Sequence, residues 1–118
     1  MDPSPVPLDS ELIGEVDYVS RAQLTELQVS RLQRALQRAY DQVEWARKRM
    51  TAAGLLPQHI TGLADLARLP FTLKQDLRET SPYGLLACPL AEVRRIHASS
   101  GTTGKPIVVA YTKRDLEV

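Results

Sequence analysis

Residues 99–106 read Ser-Ser-Gly-Thr-Thr-Gly-Lys-Pro, and the interpretation of the whole chain depends on this stretch. It follows an alternating apolar run, Val93–Ala98, and precedes a β-branched run at residues 107–111, so it is predicted to be a loop between two strands. Glycine permits positive φ angles and a close approach of ligand to main chain. Hydroxyls, amide N–H groups and a lysine ammonium all donate to phosphate oxygens. The stretch is therefore predicted to hold a polyphosphate.

The loop differs from a Walker A motif in three ways. Only two residues separate Gly101 from Gly104, Pro106 follows the lysine, and a predicted strand takes the place of the helix. The candidate phosphate-binding residues are Ser99, Ser100, Gly101, Thr102, Thr103, Gly104 and Lys105. The alternative is a mobile hairpin turn whose hydroxyls only add solubility, because short motifs often match by chance.

Composition places the chain among ordinary globular proteins. Its 118 residues allow at most one domain, with 43% hydrophobic and 25% charged residues. A formal net charge of +1 gives no indication of nucleic acid or an anionic membrane as partner. The single cysteine, Cys88, excludes an internal disulfide and is predicted to be a small buried apolar residue. With no signal-peptide pattern and no apolar run of membrane-spanning length, a soluble, cytoplasmic protein is expected.

A long amphipathic helix is predicted after an irregular, proline-containing arm at residues 1–19. Ser20 and Gln23 match a capping box, and Gly54 stands just past the pattern as a natural end residue. Between them apolar residues recur at alternating steps of four and three, at Leu32, Leu36, Ala39, Val43, Ala46 and Met50. Roughly thirty helical residues would span about 45 Å. Such a helix needs another part of the fold, or a second chain in a homodimer, to lie against.

Two short helices are predicted before the hairpin. Thr61 would cap the first, at residues 62–68. Its inward-facing residues would be Leu63, Leu66 and Ala67. Thr72 and Gln75 match a second capping box, which would open a helix that runs to about Glu79.

The end of the chain indicates a fold that continues. Thr112 and Asp115 match the start of another capped helix, but the sequence stops within a turn of it. Two strands also lack the neighbours that an independently stable sheet needs. We therefore expect the N-terminal piece of a longer α/β protein, with a helical subdomain at residues 20–80 and the beginning of an α/β domain at 81–118.

The loop resembles the phosphate-loop signature of the adenylate-forming superfamily of acyl-CoA synthetases. The wider string at residues 95–112 is similar to the phenylacetate–CoA ligase family, as are Leu-Pro-Phe-Thr-Leu-Lys-Gln-Asp-Leu-Arg at 69–78 and Tyr-Gly-Leu at 83–85. The resemblance covers residues 20–118. Family members commonly carry Val-Pro-Phe-Tyr near the end of the first helix, where this chain has Val-Glu-Trp-Ala at 43–46. Without that proline, the helix is expected to run straighter.

The resemblance implies a two-step ligase. The carboxylate of an aromatic acid such as phenylacetate would attack the α-phosphorus of ATP, and the thiolate of CoA would then displace AMP. The loop would hold the β and γ phosphates, and Mg²⁺ would bridge phosphate oxygens with mostly water ligands. No metal ligand and no catalytic residue is assigned within this chain. The truncated domain at residues 81–118 would be the start of the AMP-binding domain.

Two further residues are candidates under the same resemblance. His97 would neighbour the nucleotide or the acyl group, or would be a strand histidine satisfied by a local hydrogen bond. Lys74 would meet the substrate carboxylate, or would be an exposed helix lysine.

Three functional alternatives stay open at this stage. The leading one is the N-terminal part of a phenylacetate–CoA ligase, inactive alone because the acyl, adenine and CoA sites would lie beyond Val118. The second is a helical dimerisation module with a vestigial loop. The third is a ligase for another aromatic acid.

Overall fold

The structure is a computed structural model that describes residues 19–99 and 104–117. Almost all of the arm predicted at residues 1–19 lies outside these ranges. The regular elements are α1 (Arg21–Gln42), α2 (Glu44–Ala52), α3 (Lys74–Glu79), β1 (Val93–Ala98), β2 (Val108–Thr112) and α4 (Lys113–Leu116). Short 3₁₀ turns occupy Pro57–His59, Leu63–Arg68 and Leu90–Glu92. The architecture of helices followed by a β-hairpin is the one predicted.

Helix α1 begins at the predicted capping box. The Ser20 backbone N–H donates to the Gln23 side-chain oxygen at 2.9 Å, and the Gln23 N–H donates to the Ser20 hydroxyl oxygen at 3.2 Å. Two amides that the first turn would leave unpaired are thereby satisfied.

The predicted uninterrupted helix is wrong, because the chain leaves helical geometry at Val43. This residue has φ −117° and ψ 104°, and α2 starts directly after it. The Val43 side chain is only 5% exposed, so apolar burial stabilises the bend. The Arg47 guanidinium donates to the Tyr40 carbonyl at 3.1 Å, a carbonyl that a continuous helix would have paired with the amide of residue 44. The missing proline therefore does not give a straight helix.

Gly54 lies just past the end of α2, as predicted. This glycine has φ +69°, the left-handed conformation that favours glycine. The Leu55 N–H donates to the Met50 carbonyl at 2.9 Å and the Gly54 N–H to the Thr51 carbonyl at 3.0 Å. These two bonds form a Schellman motif, which satisfies the last carbonyls of the helix.

The core lies within the helical region. Its buried apolar residues are Leu27, Val43, Met50, Leu55 and Ile60. Ile60 is fully buried, and its carbonyl accepts a 2.9 Å hydrogen bond from the Gln33 side-chain amide of α1. This bond links the segment after α2 to the middle of α1.

The two short helices begin under aspartate caps, so both predicted caps are wrong. The Asp65 carboxylate accepts from the Thr61 and Gly62 amides at 2.9 and 3.1 Å. These bonds hold the pKa of the Asp65 carboxyl below its ordinary value. The Asp76 carboxylate likewise accepts from the Leu73 amide at 2.7 Å, which places the start of α3 one residue after the predicted box. A carboxylate at the third helical position is a stronger acceptor for these helix-end amides than the threonine hydroxyl predicted as the cap, because the carboxylate is charged.

The inward face predicted for the first short helix is also wrong. Leu66 is 47% exposed and Ala67 is exposed, whereas Leu63 is half-buried. This segment is a 3₁₀ helix, in which residues three apart share a face, so Ala67 lies off the face that Leu63 and Leu66 share. Leu66 is on the predicted face but is still exposed.

Strands β1 and β2 form the predicted antiparallel hairpin. Ala98 pairs with Val108, His97 with Val109 and Ile96 with Ala110, with an irregularity between Val93 and Arg95. After β2, Thr112 and Asp115 cap α4 as predicted: the Thr112 N–H donates to the Asp115 carboxylate at 2.8 Å. In the described ranges, no helix combines the length and the apolar character needed to cross a membrane.

Candidate phosphate-binding loop

The predicted loop is closed at its base by a pair of hydrogen bonds. The Ser99 N–H donates to the Ile107 carbonyl at 2.9 Å, and the Ile107 N–H donates to the Ser99 hydroxyl oxygen at 3.1 Å. This neck encloses residues 100–106 between the two strands. Ser100, Gly101, Thr102 and Thr103 lie outside the described residues.

The exit of the loop is held by a turn from elsewhere in the chain. The Ser81 hydroxyl donates to the Pro106 carbonyl at 3.0 Å. The turn needs glycine at position 84, because a Cβ there would lie 2.5 Å from the Thr80 carbonyl oxygen. Serine, proline and glycine at residues 81–84 are typical of a turn, but no local pattern indicates that this turn anchors the loop.

Gly104 and Lys105, two of the predicted phosphate-binding residues, begin the second described part of the chain. Gly104 has φ +85°, a left-handed conformation that strains any other residue. Lys105 is exposed, and its ammonium makes no hydrogen bond or ion pair with the residues that the structure describes. Its positive charge is therefore available to an anion.

His97 lies on β1 two residues before Ser99, so its side chain is on the same face of the strand as that of Ser99. It is exposed, and its ring meets Tyr111 edge-on, with centroids 5.0 Å apart and an interplanar angle of 60°. The local partner of His97 is thus an aromatic ring. This position keeps His97 near the neck of the loop.

Lys74 is the first residue of α3 and is exposed. Across residues 19–99 and 104–117, no hydrogen bond or ion pair brings it to the loop. Its proposed contact with a substrate carboxylate stays a prediction.

Arg49 is a structural residue that sequence reasoning missed. Its guanidinium donates to the Phe71 carbonyl at 2.6 Å, lies 3.9 Å from the Asp76 carboxylate and sits 5.1 Å from the centre of the Trp45 ring. It therefore fastens the segment at residues 69–78 to α2. The i+4 spacing of Trp45 and Arg49 was readable, but the two long-range partners were not.

The described residues offer no obvious metal site. Over those ranges, no group of three or more His, Cys, Asp or Glu side chains lies close enough to hold an ion.

The fold is similar to that of solved acyl-CoA ligases. The crystal structure of 2-hydroxyisobutyryl-CoA ligase with 2-HIB-AMP and CoA, in the thioesterification state, gives a TM-score of 0.76 at 30% identity over 82% of this chain and 22% of that one. The postadenylation state with 2-HIB-AMP gives 0.74 at 27% identity over 82% and 21%. The helices and hairpin are thus arranged as in the adenylate-forming CoA ligases.

In sequence, the chain is similar to phenylacetate–coenzyme A ligases, which confirms the resemblance. That of Thermus thermophilus is 50% identical over 104 residues, which are 88% of this chain and 23% of the relative. The Pseudomonas putida ligase is 47% identical over 108 residues (92% and 25%), and that of Escherichia coli K12 is 45% identical over 105 (89% and 24%). The chain therefore spans about a quarter of the length of these curated relatives. No family model matches it.

Proposed function

We propose that the chain carries the ATP phosphate-binding loop of an AMP-forming acid–CoA ligase that acts on an aromatic carboxylate such as phenylacetate. The observation that carries the proposal is the closed neck at Ser99 and Ile107, which encloses a stretch rich in hydroxyls and glycines and ending in an unpaired lysine among the described residues. Relatives named phenylacetate–coenzyme A ligase support the same activity.

Each loop residue would have a simple role. The hydroxyls of Ser99, Ser100, Thr102 and Thr103 would donate to phosphate oxygens. Gly101 and Gly104 would let the main chain approach them, and Lys105 would neutralise part of their charge. His97, on the face of Ser99, would lie beside the nucleotide.

In the first step, a carboxylate oxygen bonds to the α-phosphorus of ATP while the bond to pyrophosphate breaks. In the second, the CoA thiolate bonds to the acyl carbon and AMP leaves. The loop's contribution is to position the departing pyrophosphate and to stabilise its charge. Mg²⁺ would add charge neutralisation on the phosphates, and no side chain of the described residues is assigned to it.

Several properties remain part of the proposal. They are the division into an arm, a helical subdomain and the start of an AMP-binding domain, and the cytoplasmic location. The choice between phenylacetate and another aromatic acid belongs to an acyl pocket that we place outside this chain. A homodimer, in which a second chain would pack against the helical region, likewise stays a prediction.

Phosphate binding by the loop can be tested by titrating the chain with ATP and with AMP and recording ¹H–¹⁵N NMR spectra. ATP should bind more tightly than AMP, because only ATP carries β and γ phosphates. Lys105→Met should weaken ATP binding about tenfold, the effect of one lost charge-assisted contact. Shifts should centre on residues 99–105.

Lys74→Met is the matched control, since Lys74 is also an exposed lysine. It should leave both affinities unchanged. If ATP and AMP bind equally, or Lys105→Met binds ATP as the parent chain does, the loop is an ordinary hairpin turn.

A further inference from the structure

A groove of about 870 Å³ lies between α1 and the base of the hairpin, at the end away from the loop. We call it the basic groove, after the five cationic residues that line it. They are Arg34, Arg38, Arg94, Lys113 and Arg114. Only two carboxylates, Asp41 and Glu92, share the lining. The groove thus holds an excess of three positive charges, although the whole chain has a formal net charge of only +1.

Four of the groove's five cations retain capacity for a ligand: Arg34, Arg38, Arg94 and Lys113. Arg34 makes no ion pair or hydrogen bond with the described part of the chain, and Arg38 is exposed on the same face of α1, one turn further on. Arg94 uses one nitrogen to donate to the Ala91 carbonyl at 2.9 Å. Lys113 lies 3.8 Å from Glu117 in an exposed pair, which contributes little. The hydrogen bonds from Thr112 and the positive charge of Arg38 help to lower the pKa of the nearby Asp115 carboxyl. An incoming anion would therefore compete with Asp115 and Glu117, both exposed, for these cations.

The groove is separate from the phosphate loop. Arg94 is the second residue of β1, whereas the loop follows Ala98, and four strand residues span roughly 13 Å. A single phosphate group cannot reach both. The groove volume also falls in the range of about 300–1,000 Å³ that is usual for small-molecule sites.

We propose that the basic groove binds the phosphate groups of a nucleotide that carries more than one, at a site distinct from the loop. The identity of this nucleotide rests on the proposed function. It is the 3′-phosphorylated ADP end of CoA, the second polyanionic substrate of a ligase whose loop holds ATP. Guanidinium groups suit this ligand, because each can donate two parallel hydrogen bonds to one phosphate.

Cys88 provides a direct probe of occupancy. It lines the groove, is half-buried instead of buried as the sequence predicted, and is the only cysteine in the chain. The probe ligand is adenosine 3′,5′-bisphosphate, which reproduces two phosphate positions of CoA without its thiol. It should slow alkylation of Cys88 by the uncharged reagent N-ethylmaleimide, and the protection curve gives its dissociation constant.

The test variant is Arg34→Gln with Arg38→Gln, which should weaken protection at least about tenfold. The matched control is Arg21→Gln with Arg31→Gln, which removes the same number of positive charges from exposed positions of α1 that do not line the groove. The control should protect as the parent chain does. All three chains should show the same circular dichroism melting curve.

The possible outcomes distinguish a nucleotide site in the groove from unspecific charge attraction and from binding at the loop. Equal protection by inorganic phosphate at the same concentration would overturn a nucleotide site in favour of unspecific charge. Loss of protection in Lys105→Met instead of the test variant would place the ligand at the loop and overturn the groove. An equal loss in the control and in the test variant would show that overall charge decides binding, and would also overturn the groove. If the groove variant weakens protection while Lys105→Met leaves ATP binding unchanged, the loop proposal fails and the groove proposal stands.

Discussion

The helical region and the hairpin differ in how much of their apolar surface is covered. Across residues 19–99 and 104–117, every buried apolar side chain belongs to residues 27–60, and none of the residues from 81 onward is buried. In the hairpin, Ile96 is 46% exposed on one face and Val109 is 44% exposed on the other. The helical region therefore has a core of its own, and the hairpin does not.

This difference has a physical consequence for stability. Apolar burial is the main favourable term in folding, so the region with the core should govern the free energy of unfolding. The hairpin is held by its strand pairing and by single polar contacts such as Ser81 to Pro106. Substitutions of the same kind should consequently have unequal effects in the two regions.

The largest expected contrast is between two isoleucines. Ile60→Ala should lower the free energy of unfolding by about 2–5 kcal/mol, because Ile60 is fully buried and the lost methyl groups leave a cavity. Ile96→Ala makes the same chemical change at an exposed position and should cost less than about 1 kcal/mol. Urea unfolding followed by the fluorescence of Trp45, the single tryptophan, measures both. Similar decreases in the free energy of unfolding for the two variants would mean that the hairpin is as important to the stability of the fold as the helical core.

The next contrast is between two aspartate caps. Asp76→Ala removes the acceptor of the Leu73 amide and the carboxylate beside Arg49, and should lower the free energy of unfolding by about 1–3 kcal/mol. Asp115→Ala removes the acceptor of the Thr112 amide in the hairpin region. Its effect should stay within α4, as faster amide hydrogen exchange there with an unchanged urea midpoint. A lowered midpoint for Asp115→Ala would remove the distinction.

Local sequence patterns predicted the features that depend on neighbouring residues. The Ser20 and Gln23 capping box, the glycine at 54, both strands and the Thr112 cap each involve partners within four residues or an alternation along the chain. Such features follow from propensity and hydrogen-bond geometry, which the sequence displays directly.

The features that were missed depend on distant residues. Val43 fits the helical spacing, yet burial of its side chain stabilises a bend that the pattern does not reveal. The basic groove joins Arg34 to Arg94, sixty positions apart, and Arg49 reaches Phe71, 22 positions away. Tertiary packing decides these contacts, and no local rule anticipates them.

Lowering the pH should destabilise both regions, and we expect this effect on the free energy of unfolding to be the smallest of those predicted. Amide donors at Thr61 and Thr112 lower the pKa of the Asp65 and Asp115 carboxyls respectively. A lowered pKa in the folded chain adds stability that is fully present above the unfolded-state value of about 3.9 and is lost as pH falls through the folded value. The unfolding midpoint should therefore begin to decline as pH falls below about 5.

The two carboxyls should register this loss differently. Asp65 belongs to the region with the core, so its protonation should affect the unfolding of the whole chain. Asp65→Asn should therefore make the urea midpoint decline less steeply between pH 5 and pH 2.5, a range around the ordinary aspartate pKa of about 3.9. Asp115→Asn should leave that decline unchanged and flatten only the pH dependence of hydrogen exchange in α4. Both carboxyl resonances should titrate below the ordinary aspartate value by NMR. If the urea midpoint declines identically in the parent and in Asp65→Asn, the amide hydrogen bonds to Asp65 add no pH-dependent stability. The reason is that a carboxyl makes stability depend on pH only when its pKa differs between the folded and the unfolded chain.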